Sequence, residues 1–166
     1  MADEAIRELL AKKEIHEALL RYCRGVDRGD TALIRSAYWE DVTENHGAYQ
    51  GDRLDDFLAY AMERSAVFST VSHYVTNHLI ELDGDRAYSE AYALAVHTGE
   101  RGGRPFQAVF GGRYVDRFEK RDGAWKIAHR VVVHDWSTQG EIEHWERGML
   151  FVQGVPSRAD IAYERA

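Results

Sequence analysis

GGRYVDRFEKRDGAWKIAHRVVVHDW, residues 111–136, sets two stretches rich in Val, Tyr, Phe and Trp on either side of Asp122-Gly123. Aromatic and β-branched residues favour extended backbone, and Asp-Gly supplies the positive φ that a tight hairpin turn needs. The stretch therefore predicts an antiparallel hairpin. VSHYVTNHLIEL (71–82), AYSEAYALAVHTGE (87–100) and PFQAVFGGRYVDRFEKRDG (105–123) have the same character, separated by the hairpin signals Asp83-Gly84-Asp85 and Arg101-Gly102-Gly103. Gly111-Gly112 falls mid-strand, where a glycine pair predicts a bend or bulge in a curved sheet.

The first seventy residues read differently. Ile15, Leu19, Tyr22 and Val26 recur at the spacing of one helical face, and predict a long helix from Asp3 to Asp27. Leu9, Leu20, Cys23 and Asp27 lie along the edge of that face, while Arg21, Arg24 and Arg28 form a solvated stripe. Thr31 is the expected cap of a short second helix containing Leu33, Ile34 and Tyr38, and a third helix is expected over residues 54–68. Helices followed by a run of antiparallel strands indicate an α+β fold. A strongly curved antiparallel sheet wrapped by the N-terminal helices would enclose a deep pocket. With two prolines and no linker or repeat, residues 1–140 are expected to form one domain. The tail 141–166, with the apolar GMLFVQGV at 148–155, is expected to cap the pocket or join a subunit interface.

Composition narrows the function classes. The 45% hydrophobic content suits a folded globule, and the net charge of −7 argues against nucleic-acid or anionic-membrane partners. A single cysteine excludes an internal disulfide framework and a multi-cysteine zinc site. The start MADEAIRELL has no signal-peptide pattern, and no apolar run approaches the roughly 20 residues that span a bilayer. A cytoplasmic protein is the expectation. The eight histidines fall in no metal-ligand spacing, and no nucleotide-binding motif occurs, so neither metal nor cofactor is expected.

The chemistry rests on ionisable residues at positions that want burial. Asp27 lies toward the buried side of the first helix. Strand alternation puts His73 on one face with Val71, Val75, Asn77 and Leu79, and puts Lys126, Ala128, Arg130, Val132, His134 and Trp136 on another. Each admits a structural explanation: a core histidine, a helix-end aspartate, an arginine paired across the sheet. Together, three charges aimed at one cavity are expected to pair, because an unpaired buried charge is costly. An Asp–His pair fixes the imidazole in one tautomer and makes a general base, and a nearby arginine stabilises a leaving anion. That set suits proton abstraction and elimination. Cys23 is expected to pack rather than react, and Trp39 and Trp145 to anchor the core or tail.

The chain resembles the SnoaL-like family of the nuclear-transport-factor-two superfamily. The resemblance covers roughly residues 5–140 and rests on YCRGVDRGD, YWEDV, SHYVTNHLIEL and the Y-x-D-x-F-x-K-x-D-G-x-W-K-I run of residues 114–127. It implies a cone of curved sheet and helices around a pocket. It also points to the family's lyase branch, which includes hexachlorocyclohexane dehydrochlorinase, bile-acid 7α-dehydratase and scytalone dehydratase. The implied catalytic residues are His73, Asp27, Arg130 and Tyr22, with Tyr38, His134, Trp136 and Asn77 as substrate-binding candidates. The implied activity is a cofactor-independent lyase eliminating water, halide or a carbonyl fragment such as formaldehyde from a small hydrophobic or aromatic substrate. Isomerase or cyclase chemistry and a non-catalytic binding or assembly role are the alternatives. A homotrimer or dimer is expected.

Overall fold

The computed structural model describes residues 2–143 and 151–164. Helix α1 spans Ala2–Asp27, α2 Thr31–Ala37 and α3 Leu54–Ser65. The strands are β1 Tyr38–His46, β2 Tyr49–Gly51, β3 Thr70–Asp83, β4 Arg86–Arg101, β5 Arg104–Arg121 and β6 Ala124–Glu141. They form one sheet in the order β2-β1-β6-β5-β4-β3. The helices cover its concave face. The fold is the expected α+β cone with an open, curved sheet, and the three expected hairpin turns fall where Gly84, Gly102-Gly103 and Asp122-Gly123 take positive φ; a fourth, between β1 and β2, turns at Gly47.

The sheet is mixed, not wholly antiparallel: β1 runs parallel to β6. Parallel neighbours need a long crossover, and here everything from β2 to β5 separates the two strands. Tyr38 belongs to this strand and not to α2. It is the extended C-cap residue of α2, and YWEDVT continues as β1. Thr31 is the first residue of α2, not its cap; the Asp30 carboxylate accepts from the Leu33 N–H at 3.1 Å.

Along α1 the buried stripe is Ile15, Ala18, Leu19, Tyr22, Cys23 and Val26. Leu9 and Leu20, expected at its edge, are exposed, as are Ile6 and Leu10. The core continues through Ile34, Val42, Leu54, Phe57, Phe118, Trp125 and Ile127.

Three irregularities set which side chains face inward. Between Val75 and His78 the β3–β4 register shifts, so the inward phase passes from Val71, His73 and Val75 to His78, Ile80 and Leu82. On β6 a shift opposite Arg117/Phe118 separates Trp125 and Ile127 from Arg130 and Val132, and another opposite Gly111/Gly112 separates His134 from Trp136. Each extra residue inverts the faces downstream and bends the strand. Lys126 and Trp136 therefore do not share the face of Arg130.

From the tail, Arg158 and the Tyr163 hydroxyl donate to Asp30 at 2.8 and 2.9 Å, and Arg28 pairs with Asp160 at 3.4 Å. Residues 151–164 thus pack at the α1–α2 corner. Phe151 and Val152 are exposed, while Trp145 and residues 148–150 of the apolar segment lie outside the described residues.

Candidate active site

The concave face of the sheet and helices α1 and α3 enclose a cavity of about 450 Å³. Its walls combine the aromatic side chains of Tyr22, Phe57, Tyr60, Phe68, Phe106, Phe110 and Tyr114 with aliphatic and polar groups, among them Arg64 and Arg101. Four imidazoles also line it, those of His46, His73, His97 and His134.

Asp27 is the last residue of α1 and meets β3 at the sheet edge. An edge strand leaves every second N–H without a ladder partner, and the His73 N–H donates to Asp27 Oδ2 at 3.1 Å. The other carboxylate oxygen stands 2.6 Å from His73 Nδ1. An ionised carboxylate only accepts, so Nδ1 carries a proton, and in the neutral ring the lone pair is on Nε2. The two side chains are 7% and 15% exposed, which shields the pair from bulk solvent while His73 still borders the cavity.

Arg130 lies deeper. Its side chain is fully buried, and Nε and one terminal nitrogen donate to the two oxygens of Asp116 at 2.8 and 2.6 Å. The other terminal nitrogen donates to the Tyr38 hydroxyl at 2.8 Å. The guanidinium is packed 4.3 Å from the ring centres of both Tyr22 and Tyr114. Burial disfavours the cation, but Asp116 and its neighbours raise its pKa well above the usual arginine value. Arg130 therefore supports the cavity from beneath its tyrosines and is not among the lining residues.

Tyr22 does line the cavity, and its ring meets His73 edge-on at 6.3 Å. Burial holds its phenol well above the ordinary value, with Arg130 opposing; the hydroxyl stays protonated and can donate. His97 faces His73 at 6.1 Å. Burial, then the neighbouring His73, lowers its pKa to about 4, so it is neutral at pH 7. Burial pushes the Cys23 thiol up to about 12, which leaves no thiolate for nucleophilic chemistry.

Of the substrate-binding candidates, only His134 lines the cavity. Tyr38 sits behind the wall, bonded to Arg130. Asn77 is exposed because the β3 bulge turns it outward, and the same bulge brings His73 and His78 to one side of the strand. Trp136 lies on the convex face against Gly111, half exposed. The sequence reading missed Glu44, His46 and His97. Tyr114 and Asp116 carried a usable signal, an acid at period two between Tyr114 and Phe118 on a strand. Among the described residues no three His, Cys, Asp or Glu side chains converge as metal ligands.

The fold recurs among solved structures. A hexachlorocyclohexane dehydrochlorinase (LinA, type 2) superposes with a TM-score of 0.77 at 19% identity, over 88% of this chain and 99% of that one. A protein from Novosphingobium aromaticivorans DSM 12444 named for scytalone dehydratase gives 0.70 at 22% identity, over 89% and 94%. A Mycobacterium tuberculosis protein of unknown function gives 0.67 at 26% identity, over 81% and 75%. No curated protein matches the sequence. Residues 7–131 match the model of the SnoaL-like domain, and the chain belongs to that family.

Proposed function

We propose that the protein is a cofactor-independent lyase acting on a small, hydrophobic, aromatic substrate. His73, oriented by Asp27, takes a proton from a C–H or O–H of the substrate, and the electron pair released expels a leaving group from the neighbouring carbon. Tyr22 donates a hydrogen bond to the departing hydroxide, halide or carbonyl oxygen. Arg130 acts through the ring of Tyr22, stabilising negative charge above it without touching the substrate. The observation that carries this reading is the 2.6 Å contact between His73 and Asp27 at the wall of the cavity. Displacement of water by a bound substrate strengthens that electrostatic arrangement. The dehydrochlorinase and scytalone dehydratase names of similar folds agree with elimination chemistry.

The test is a screen of hydroxylated, hydroxymethylated and chlorinated aromatic compounds, read by ultraviolet-visible change and by released formaldehyde or chloride, with Asp27→Asn as control. Turnover lost in that variant supports the reading. A product with the formula of its substrate assigns isomerisation instead, and no turnover across the panel favours a binding role.

A further inference from the structure

A second imidazole on the cavity wall is also held by a carboxylate. His46 Nδ1 lies 2.9 Å from Glu44 Oε1, both on β1. The Glu44 side chain is 1% exposed, and its other oxygen is buried with no hydrogen-bond partner. A sealed carboxylate with an unfilled acceptor is costly, and packing alone gives no reason to keep it.

The placement of this pair is informative. The His46 ring is 5.4 Å from Phe57, Phe57 is 6.4 Å from Tyr22, and Tyr22 is 6.3 Å from His73. Phe57 and Tyr22 thus link two carboxylate-held imidazoles around the wall of one cavity. The two pairs differ. Asp27 accepts from both the ring and the backbone N–H of His73, whereas Glu44 has His46 alone. Burial raises the Glu44 carboxyl above the usual carboxylate value, against the pull of His46 and Arg130. Burial therefore favours a proton held at the Glu44 carboxyl, which lies 2.9 Å from the His46 ring.

We propose that His46, positioned by Glu44, is the general acid of this cavity, protonating the leaving oxygen while His73 removes the substrate proton. The inference rests on the lyase reading above. In the step, the substrate C–H bond breaks and its pair becomes the new π bond. The C–O bond breaks, its pair stays on oxygen, and the proton from His46 Nε2 completes a water molecule. His73 ends as imidazolium and the Glu44–His46 pair ends one proton short; exchange with solvent restores both. The substrate class follows: an aromatic alcohol whose acidic C–H reaches His73 while its hydroxyl, a poor leaving group, reaches His46.

Two ring-opening probes test this, 5-nitrobenzisoxazole and unsubstituted benzisoxazole. Each loses a carbon-bound proton to a base while its N–O bond breaks to give a cyanophenolate. The nitro-substituted phenolate departs unaided, and the unsubstituted one gains from a proton donor. His46→Gln is expected to slow the unsubstituted probe about 10²-fold or more beyond any effect on the nitro probe, the lower range of acid catalysis. His46→Tyr, which restores a proton donor, is expected to recover part of the loss and serves if the glutamine variant fails to fold. Glu44→Gln is expected to shift the pH profile for the unsubstituted probe alone, and Asp27→Asn to slow both. Equal effects of His46 replacement on the two probes, or none, overturn the inference and leave His73 as base. Turnover of neither probe by the wild type removes the lyase reading and this inference with it.

Discussion

The carboxylate of Asp27 and the imidazole of His73 stand 2.6 Å apart although 46 residues separate them. An acidic residue at a helix C-terminus opposes the helix dipole, so its place there needs compensation. The ring and backbone N–H groups of His73 supply it. Asp27→Asn keeps the shape but presents an amide NH₂ toward Nδ1, selecting the wrong tautomer. Turnover of the substrate found by screening is expected to fall about 10²–10⁴-fold with far-ultraviolet circular dichroism unchanged. Normal turnover in a folded variant would remove the pair from catalysis.

Arg130 and Asp116 make a different prediction, because both side chains are fully buried. Asp116→Ala leaves a guanidinium sealed without its partner and is expected to cost about 3–5 kcal/mol in urea unfolding. The double variant Arg130→Met with Asp116→Leu is expected to cost less than Asp116→Ala alone, since no charge is stranded. A double variant at least as unstable as the single would show that the ion pair itself, not the avoided orphan charge, stabilises the fold.

Strands β3 to β6 were legible because their composition and turn residues agree, and α1 because its apolar period is long. The site was legible where an ionisable residue interrupts an apolar alternation, as His73 does between Val71 and Val75. It was hidden in β1, where the inward positions after Val42 are Glu44 and His46; two polar residues erase the alternation that marks a strand. Asn77, Lys126 and Trp136 were placed on the wrong face for another reason. Strict period two cannot anticipate a bulge, and one extra residue reverses every position beyond it. For Trp136 the Gly111-Gly112 pair marked the bend but not which strand would take the extra residue.

That bend makes a prediction about the two glycines. A Cβ on Gly112 would stand 2.1 Å from the Val133 carbonyl oxygen, a backbone atom that cannot move without disturbing the ladder. A Cβ on Gly111 would meet the Trp136 ring at 2.3 Å, but that ring is half exposed and can swing away. Gly112→Ala is therefore expected to be the more destabilising, by about 1–3 kcal/mol or more, and Gly111→Ala the milder. Reversal of that order in thermal unfolding would argue against the bulge geometry.

The convex face of the sheet leaves Leu79, Tyr88, Tyr92, Leu94, Val115 and Trp136 exposed. These side chains surround the Arg113–Glu90–Asp135 ion cluster on the same face, and so many large exposed apolar groups on one side of a sheet mark an interaction surface. Light scattering after size exclusion is expected to find a trimer or dimer, and Leu94→Lys combined with Val115→Lys to shift it to monomer. A wild-type monomer at micromolar concentration would exclude this face as a self-association surface.

His16 and His78 bring α1 and β3 together through ring nitrogens 2.9 Å apart, which requires a single proton between them. Burial, then His16, lowers the pKa of His78 to about 4 from the ordinary 6.5, against the opposing influence of Asp116. His97 is held at about 4 by burial and His73. Between pH 6.5 and 4 the unfolded chain binds protons that these folded side chains refuse, so their stability is complete above 6.5 and drains away as pH falls. Glu44 acts with the opposite sign: its raised carboxyl binds a proton more readily when folded, which partly offsets the loss. Both histidines are partly exposed, so solvent screening reduces the size of the effect. Replacing His78 with Phe removes one of the two proton-refusing groups and an unpartnered buried Nε2. Urea midpoints at pH 7 and pH 4.5 are expected to lie closer together in His78→Phe than in the wild type; an equal or larger gap would show that His78 does not govern the acid limb.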